Sequence, residues 1–235
     1  MAELAKQQQA PLDVSSSLAV WGHHLRGADL PFVGHVGADV SQAADAASAS
    51  RLVQASLLAL LSAIGKEALT FCFLPIRNAL EEFQILGALE ALEQAREERL
   101  VQFTGIRAVK SPYAVQSVWQ FHDAFEAVMI PRQPSGQCEK ALLPLAESRR
   151  VGVVLSHPLS LGTTASLGHH SSVISAAGSS DPHLSLLASS ASKAHTLVGV
   201  RSVAEMEASL SWQNHLGDAD AVLESARRAA QEAAA

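Results

Sequence analysis

The sequence predicts an α/β fold in which parallel strands alternate with helices, either as an open doubly wound sheet or as a β/α barrel. Several short runs, such as LTFCFLP at 69–75 and VGVVLS at 151–156, are apolar throughout. Such runs indicate strands buried on both faces, as in a parallel sheet covered by helices. The runs alternate with helical patterns in units of roughly 30 residues, which indicates repeated βαβ units. No GxGxxG follows a predicted strand, which argues against the open dinucleotide-binding sheet.

Each element is assigned in chain order from apolar periodicity, helix caps and stop signals. Strands are predicted over residues 31–36, 69–75, 100–106, 127–130, 151–156 and 196–200. Residues 38–49 read as a loop, after which Ser50 caps a helix that runs to about Ile64 and stops at Gly65. Further helices are predicted over 80–99, from Pro112 to about Phe125, over 138–150, from Ser202 onwards and over 218–235. The Ser-rich segment 157–195 is expected to be a long loop.

Composition and charge exclude several classes of protein. The 235 residues carry a formal net charge of -6 without a cluster of Lys and Arg, which argues against a nucleic-acid partner. Cys72 and Cys138 form no CxxC pattern, so neither a disulfide scaffold nor a metal site is expected. No signal sequence is visible, and no apolar run reaches the roughly 20 residues of a membrane span. We expect a cytoplasmic protein without a metal or a membrane partner.

Four stretches, in chain order, resemble segments of the aldo-keto reductases. They are SRLVQASLLALLSAIGKEALTFCFLPI, ILGALEALEQAREERLVQFTGIRA, ALLPLAESRRVGVVLSHPL and LVGVRSVAEMEASL. They are similar to that family's third helix with its fourth strand, its fifth strand with the preceding helix, its seventh strand and its eighth strand. The resemblance implies an NADP-dependent oxidoreductase scaffold and a TIM-type β/α barrel. Because the match begins near residue 30, the first two βα units are expected to be missing and the barrel to be open or incomplete.

This alignment predicts three parts of the chain. Residues 1–30 form an N-terminal extension, 31–217 the barrel portion and 218–235 a C-terminal Ala-rich helix. An incomplete barrel has strand edges with unpaired N–H and C=O groups, which invite pairing with another chain. LAVWG at 18–22 is a candidate substitute strand, and a homodimer or a partner chain at the open edge is the other expectation.

The resemblance also implies a catalytic set. In the family a Tyr donates a proton to the carbonyl, a Lys lowers the pKa of that Tyr, an Asp pairs with the Lys and a His orients the substrate. Here His35 stands at the matched Lys position and Pro75 at the matched His position. The Asp and Tyr are expected to fall in the missing region, and the single tyrosine, Tyr113, lies at the start of a helix. No catalytic residue is therefore predicted to remain, and His35 alternatively reads as a core histidine.

The matched cofactor site is predicted to be altered at its nicotinamide end. Arg107 and Ala108 stand at the family's Ser-Asn pair, Met129 at its Gln and Ser156 at its stacking Tyr. The adenosine-phosphate end keeps Gly199, Arg201, Ser202 and Glu205, of which Glu205 replaces the usual Gln. We expect at most weak NADP(H) binding, led by the phosphate. Arg201 and Ser202 alternatively read as a helix cap with an exposed arginine.

Three functional interpretations remain open on the sequence. The first is an aldo-keto reductase-like protein without carbonyl reductase activity that retains weak NADP(H) phosphate binding. The second is a non-catalytic interaction or regulatory protein on the same scaffold. The third is an incomplete gene product of an NADP-dependent oxidoreductase, which an upstream reading frame encoding the Asp and Tyr would support.

Overall fold

A computed structural model describes residues 11–14, 25, 28–131, 136–156 and 195–197. The chain divides into two compact units, residues 2–155 and residues 156–235 with Met1. The strands are β1 Leu12–Asp13, β2 Phe32–His35, β3 Leu69–Ile76, β4 Val101–Ala108, β5 Ala127–Pro131, β6 Gly152–Ser156 and β7 His195–Leu197. The helices are α1 Ala46–Ile64, α2 Glu82–Glu97, α3 Pro112–Phe121 and α4 Gln137–Arg149, with a 3-10 turn at Val40–Gln42.

The strands of the first unit form one sheet in chain order, β1-β2-β3-β4-β5-β6. β1 to β5 pair in parallel, each with the next strand along the chain. From β2 onwards a helix separates each strand from the next, so the unit consists of βα repeats. Six parallel strands alternating with helices confirm the predicted open, incomplete TIM-type α/β fold.

The start of α1 differs from the sequence prediction. The helix begins at Ala46, within the segment 38–49 that was expected to be a loop, and Asp45 is its N-cap. The Asp45 carboxylate accepts from the Ser48 backbone N–H, while the Ser48 hydroxyl accepts from the Asp45 backbone N–H. This reciprocal capping box satisfies two N–H groups of the first turn, so it competes successfully with a later start at Ser50. The predicted end is confirmed, because Gly65 adopts the left-handed conformation at φ 64°.

Helices α1 and α2 pack closely on one face of the sheet. A Cβ added to Gly87 would lie 2.1 Å from the carbonyl oxygen of Ala46, so glycine permits this backbone approach. α1 is the one helix in the described part of the chain that is long and apolar enough to cross a membrane. Its residues Val53, Leu57 and Leu60 are nevertheless buried in the core.

The remaining elements follow the predicted order with shifted ends. The Ser111 side chain caps α3 and Pro112 is its first residue, as predicted, but α3 ends at Phe121 and not near Phe125. Of the strand predicted at 196–200, the structure describes His195–Leu197. The candidate strand at 18–22, the helix from Ser202 and the helix at 218–235 lie outside the described residues. The described strand beside β2 is β1, at Leu12–Asp13.

Candidate functional site

The strand register places one set of side chains on the sheet face opposite α1. His35, Phe73 and Gly105 are level on β2, β3 and β4, and Arg107 follows two residues further along β4. Because side chains alternate along a strand, these four residues share a face. Gly34 belongs to the other face, since a Cβ there would meet the Leu60 side chain of α1. The shared face therefore carries a polar group at the carboxyl ends of the strands, where β/α barrels hold their active sites.

His35 is the centre of this polar group. Its Nε2 lies 2.9 Å from Oδ2 of Asp13, and its Nδ1 lies 3.3 Å from Nη1 of Arg107. A guanidinium can only donate hydrogen bonds, so Nδ1 accepts from Arg107 and carries no proton. Nε2 then carries the proton and donates a hydrogen bond to the Asp13 carboxylate. Both ring nitrogens of a buried, neutral imidazole are thus engaged.

Arg107 has an N–H group that no described residue accepts from. Burial lowers its pKa, the Asp13 carboxylate acts in the opposite direction, and the Arg77 guanidinium lowers it further. Its Nε is sealed from solvent and has no hydrogen-bond partner. Arg77 donates to the carbonyl oxygen of Ala38 at 3.3 Å. Two arginines therefore lie within electrostatic range of each other, with Asp13 as the counter-charge shown for Arg107.

Aromatic rings lie next to the polar group. The Phe73 ring centre is 5.7 Å from that of His35, and a Cβ on Gly105 would lie 2.4 Å from the Phe73 ring. Phe71 stacks on Phe103 with ring centres 5.1 Å apart. Gly105 therefore gives Phe73 the space to lie beneath His35, which holds the imidazole over an apolar layer.

The structure brings together only some of the residues singled out in the sequence. His35 and Arg107 are in contact, and Pro75 is level with Arg107 in the register but has no donor to offer. Tyr113 is 68% exposed in the first turn of α3 and has no contact with the group around His35 in the described part. Ser156 is the buried last residue of β6. Gly199, Arg201, Ser202 and Glu205 lie outside the described residues.

Arg107 and Met129, at two of the nicotinamide positions, match a carboxamide only in part. Arg107 can donate to the carboxamide oxygen, but it cannot accept from the NH₂ group, and the Met129 thioether accepts only weakly. Met129 is also fully buried on β5, paired with Arg107 in the register. Within the described ranges there is, in addition, no group of three His, Cys, Asp or Glu side chains that could hold a metal ion.

Asp13 is a member of the site that the sequence did not predict. We expected the Asp of the family's Asp–Lys pair to fall in a missing region, yet Asp13 on β1 pairs with His35, the residue at the matched Lys position. The two-residue strand Leu12–Asp13 is too short to give a periodic signal. The available signal was an acidic residue between Leu12 and Val14, two positions after Pro11.

Solved structures that are similar to this chain include aldo-keto reductases. An aldo-keto reductase of Bacillus halodurans in its holo form is 15% identical, with 90% of this chain and 80% of that chain covered and a TM-score of 0.59. An aldose reductase of Giardia lamblia is 14% identical, with 91% and 81% covered and a TM-score of 0.67. An aldo/keto reductase of Brucella melitensis is 11% identical, with 95% and 88% covered and a TM-score of 0.67.

No protein-family model and no curated protein sequence matches the chain. The similarity therefore lies in the three-dimensional structure, and the chain has the fold of the aldo-keto reductases, as the sequence resemblance predicted.

Proposed function

We propose that this chain is an aldo-keto reductase-like protein that binds a ligand at the carboxyl end of its sheet and does not reduce carbonyls. One observation carries the proposal: both ring nitrogens of His35 are occupied, by Asp13 and by Arg107. Reduction of a carbonyl requires a proton at the oxygen as well as a hydride at the carbon. The imidazole offers no free N–H for that proton.

The other matched positions supply no proton donor in its place. Pro75 carries no ionisable group, and Tyr113 is exposed on α3. Releasing His35 as an acid would break its hydrogen bond with Asp13, whose carboxylate is only partly exposed. A lost hydrogen bond to a charged group costs about 1.5–3 kcal/mol, which adds to the barrier of every turnover.

NADP(H) would supply the hydride if it were bound. Because neither Arg107 nor Met129 offers a good acceptor for the carboxamide NH₂ group, binding at the nicotinamide end is not proposed. The sequence resemblance supports the adenosine-phosphate end, where Gly199, Arg201, Ser202 and Glu205 match the family's loop. Backbone N–H groups at a helix start, together with an arginine, are suited to a phosphate. We propose weak NADP(H) binding through that end alone.

NADPH oxidation with a set of simple aldehydes tests the missing activity. We expect no oxidation above the blank, and heated protein serves as the control. A steady rate that disappears on heating would overturn the proposal. Restoring lysine with His35→Lys is expected to leave the protein inactive, because no tyrosine lies against residue 35 in the described part of the chain.

Titration of NADPH and of adenosine 2′,5′-bisphosphate tests the cofactor proposal. If only the phosphate end makes contacts, the two ligands bind about equally well. Arg201→Ala should abolish binding of both, while Arg51→Ala, a change at an exposed arginine of α1, should not alter it. Unchanged NADPH affinity in Arg201→Ala would show that the assigned loop is wrong.

A further inference from the structure

We infer that Arg107 is the anchor of a binding site for a small monocarboxylate. The inference rests on the proposed ligand-binding role and names the class of ligand. It concerns the group of Asp13, His35, Arg107 and Arg77 at the carboxyl ends of the strands.

The first argument is the missing acceptor at Arg107. Nε of Arg107 is sealed from solvent without a partner, although Nη1 of the same guanidinium contacts His35. A buried donor without an acceptor typically costs about 1–3 kcal/mol, and more on a charged group. Such a group is rare in native proteins and points to an acceptor that comes from outside the chain. A ligand oxygen that accepts a hydrogen bond from Nε of Arg107 removes the free-energy cost of this unpartnered donor.

The second argument is the geometry of the guanidinium. Its five N–H groups lie in one plane, and the edge formed by Nε and Nη2 is opposite the Nη1 position that contacts His35. A carboxylate can therefore accept two parallel hydrogen bonds from this edge while Nη1 stays with His35. Arg107 is only half-buried, so a ligand can approach its side chain from the exposed side.

The third argument is the charge of the described group. Arg107 and Arg77 are positive, Asp13 is negative, and His35 is neutral by its hydrogen bonds. The described group therefore carries one net positive charge. A monocarboxylate neutralises it, whereas a phosphate dianion would leave a net negative charge beside the Asp13 carboxylate. Charge balance favours the carboxylate.

Titration of the full chain with benzoate labelled with ¹³C at the carboxyl group tests the site by NMR. We expect a saturable change of the ¹³C signal, and weaker binding of inorganic phosphate at the same ionic strength. Loss of a charged hydrogen-bond pair in Arg107→Gln should weaken benzoate binding about ten- to hundredfold. Arg51→Gln, on the exposed side of α1, is the matched control and should bind like the wild type.

Other results would overturn the inference. Benzoate affinity unchanged in Arg107→Gln would place the ligand elsewhere, and phosphate binding tighter than benzoate would indicate a general anion site. If Arg107→Gln does not fold, Arg107→Lys tests the inference instead. Lysine keeps the positive charge but lacks the planar guanidinium and its two parallel N–H donors. Affinity equal to that of the wild type in this variant would contradict the two-bond geometry. Absence of benzoate binding together with absence of NADPH oxidation would overturn this inference alone, whereas NADPH oxidation with aldehydes would overturn the proposed function.

Discussion

Oδ2 of Asp13 lies 2.9 Å from Nε2 of His35, although the two residues are 22 positions apart and lie on neighbouring strands. The His35 side chain is only 4% exposed and the Asp13 side chain 21%. The interaction therefore replaces water at the imidazole N–H, and its removal leaves a buried polar group.

Asp13→Ala should destabilise the protein through this contact. Leaving the His35 N–H without its acceptor costs about 1–3 kcal/mol in the free energy of unfolding. Asp13→Asn keeps an acceptor oxygen and should cost clearly less. Urea unfolding followed by circular dichroism measures both. Equal midpoints for the wild type and Asp13→Ala would mean that the contact does not stabilise the fold.

Gly105→Ala should disturb the apolar layer beneath His35. The added methyl group would lie 2.4 Å from the Phe73 ring and 3.0 Å from the carbonyl oxygen of Ala127, so the ring must shift. Overpacking of this kind typically costs about 1–3 kcal/mol. The matched control is Gly152→Ala on β6, where the nearest atom is at 3.4 Å. The prediction fails if the two variants unfold at the same urea concentration.

Asp45→Ala should destabilise the start of α1 in a pH-dependent way. Hydrogen bonds from the Ser48 backbone and side chain lower the pKa of Asp45 from 3.8. A lowered pKa in the folded state gives stability that is present above pH 3.8 and is lost as the pH falls through the folded value. The difference in urea midpoint between wild type and Asp45→Ala should therefore shrink on acidification. A difference that grows as the pH falls would contradict the capping role.

Cys72 should be protonated and unreactive in the folded protein. Burial raises the pKa of its thiol from 9.0 to about 12. The folded state therefore holds its proton more tightly, so this contribution to stability is present below pH 9.0 and is lost as the pH rises towards about 12. In a Cys138→Ser background, a thiol reagent should modify Cys72 only after unfolding. Fast modification of the native protein would contradict this.

The open strand edge leads to a prediction about assembly. We propose that the full chain forms a homodimer or pairs with another chain, because the described strand beside β2 is only the two-residue β1. Deletion of residues 1–27 removes β1 and Asp13 and should lower the melting temperature more than deletion of residues 1–10, which leaves both. Light scattering after gel filtration measures the mass. A monomer whose melting temperature is equal in both deletion variants would rule out this role of the edge.

The βα repeat and many of its boundaries follow from local features of the sequence. Mainly apolar runs predicted β3, β4, β5 and β6, Gly65 predicted the end of α1, and Ser111 with Pro112 predicted the start of α3. Each of these features depends on a local property that a few neighbouring residues reveal. The properties are the period of apolar side chains along a strand, the positive φ that Gly65 adopts and the missing backbone N–H of Pro112. The resemblance likewise placed His35 and Arg107 at matched site positions.

The contacts made at those positions depend on the tertiary structure. Asp13 meets His35 from a strand of two residues, and Arg107 reaches the same imidazole from 72 positions away. Neither contact has a local periodic signal, because each depends on the parallel register of strands that are distant in the chain. The engaged state of both imidazole nitrogens and the unpartnered donor at Arg107 follow from that register. The proposal that this site binds a ligand and does not transfer a proton rests on these two features.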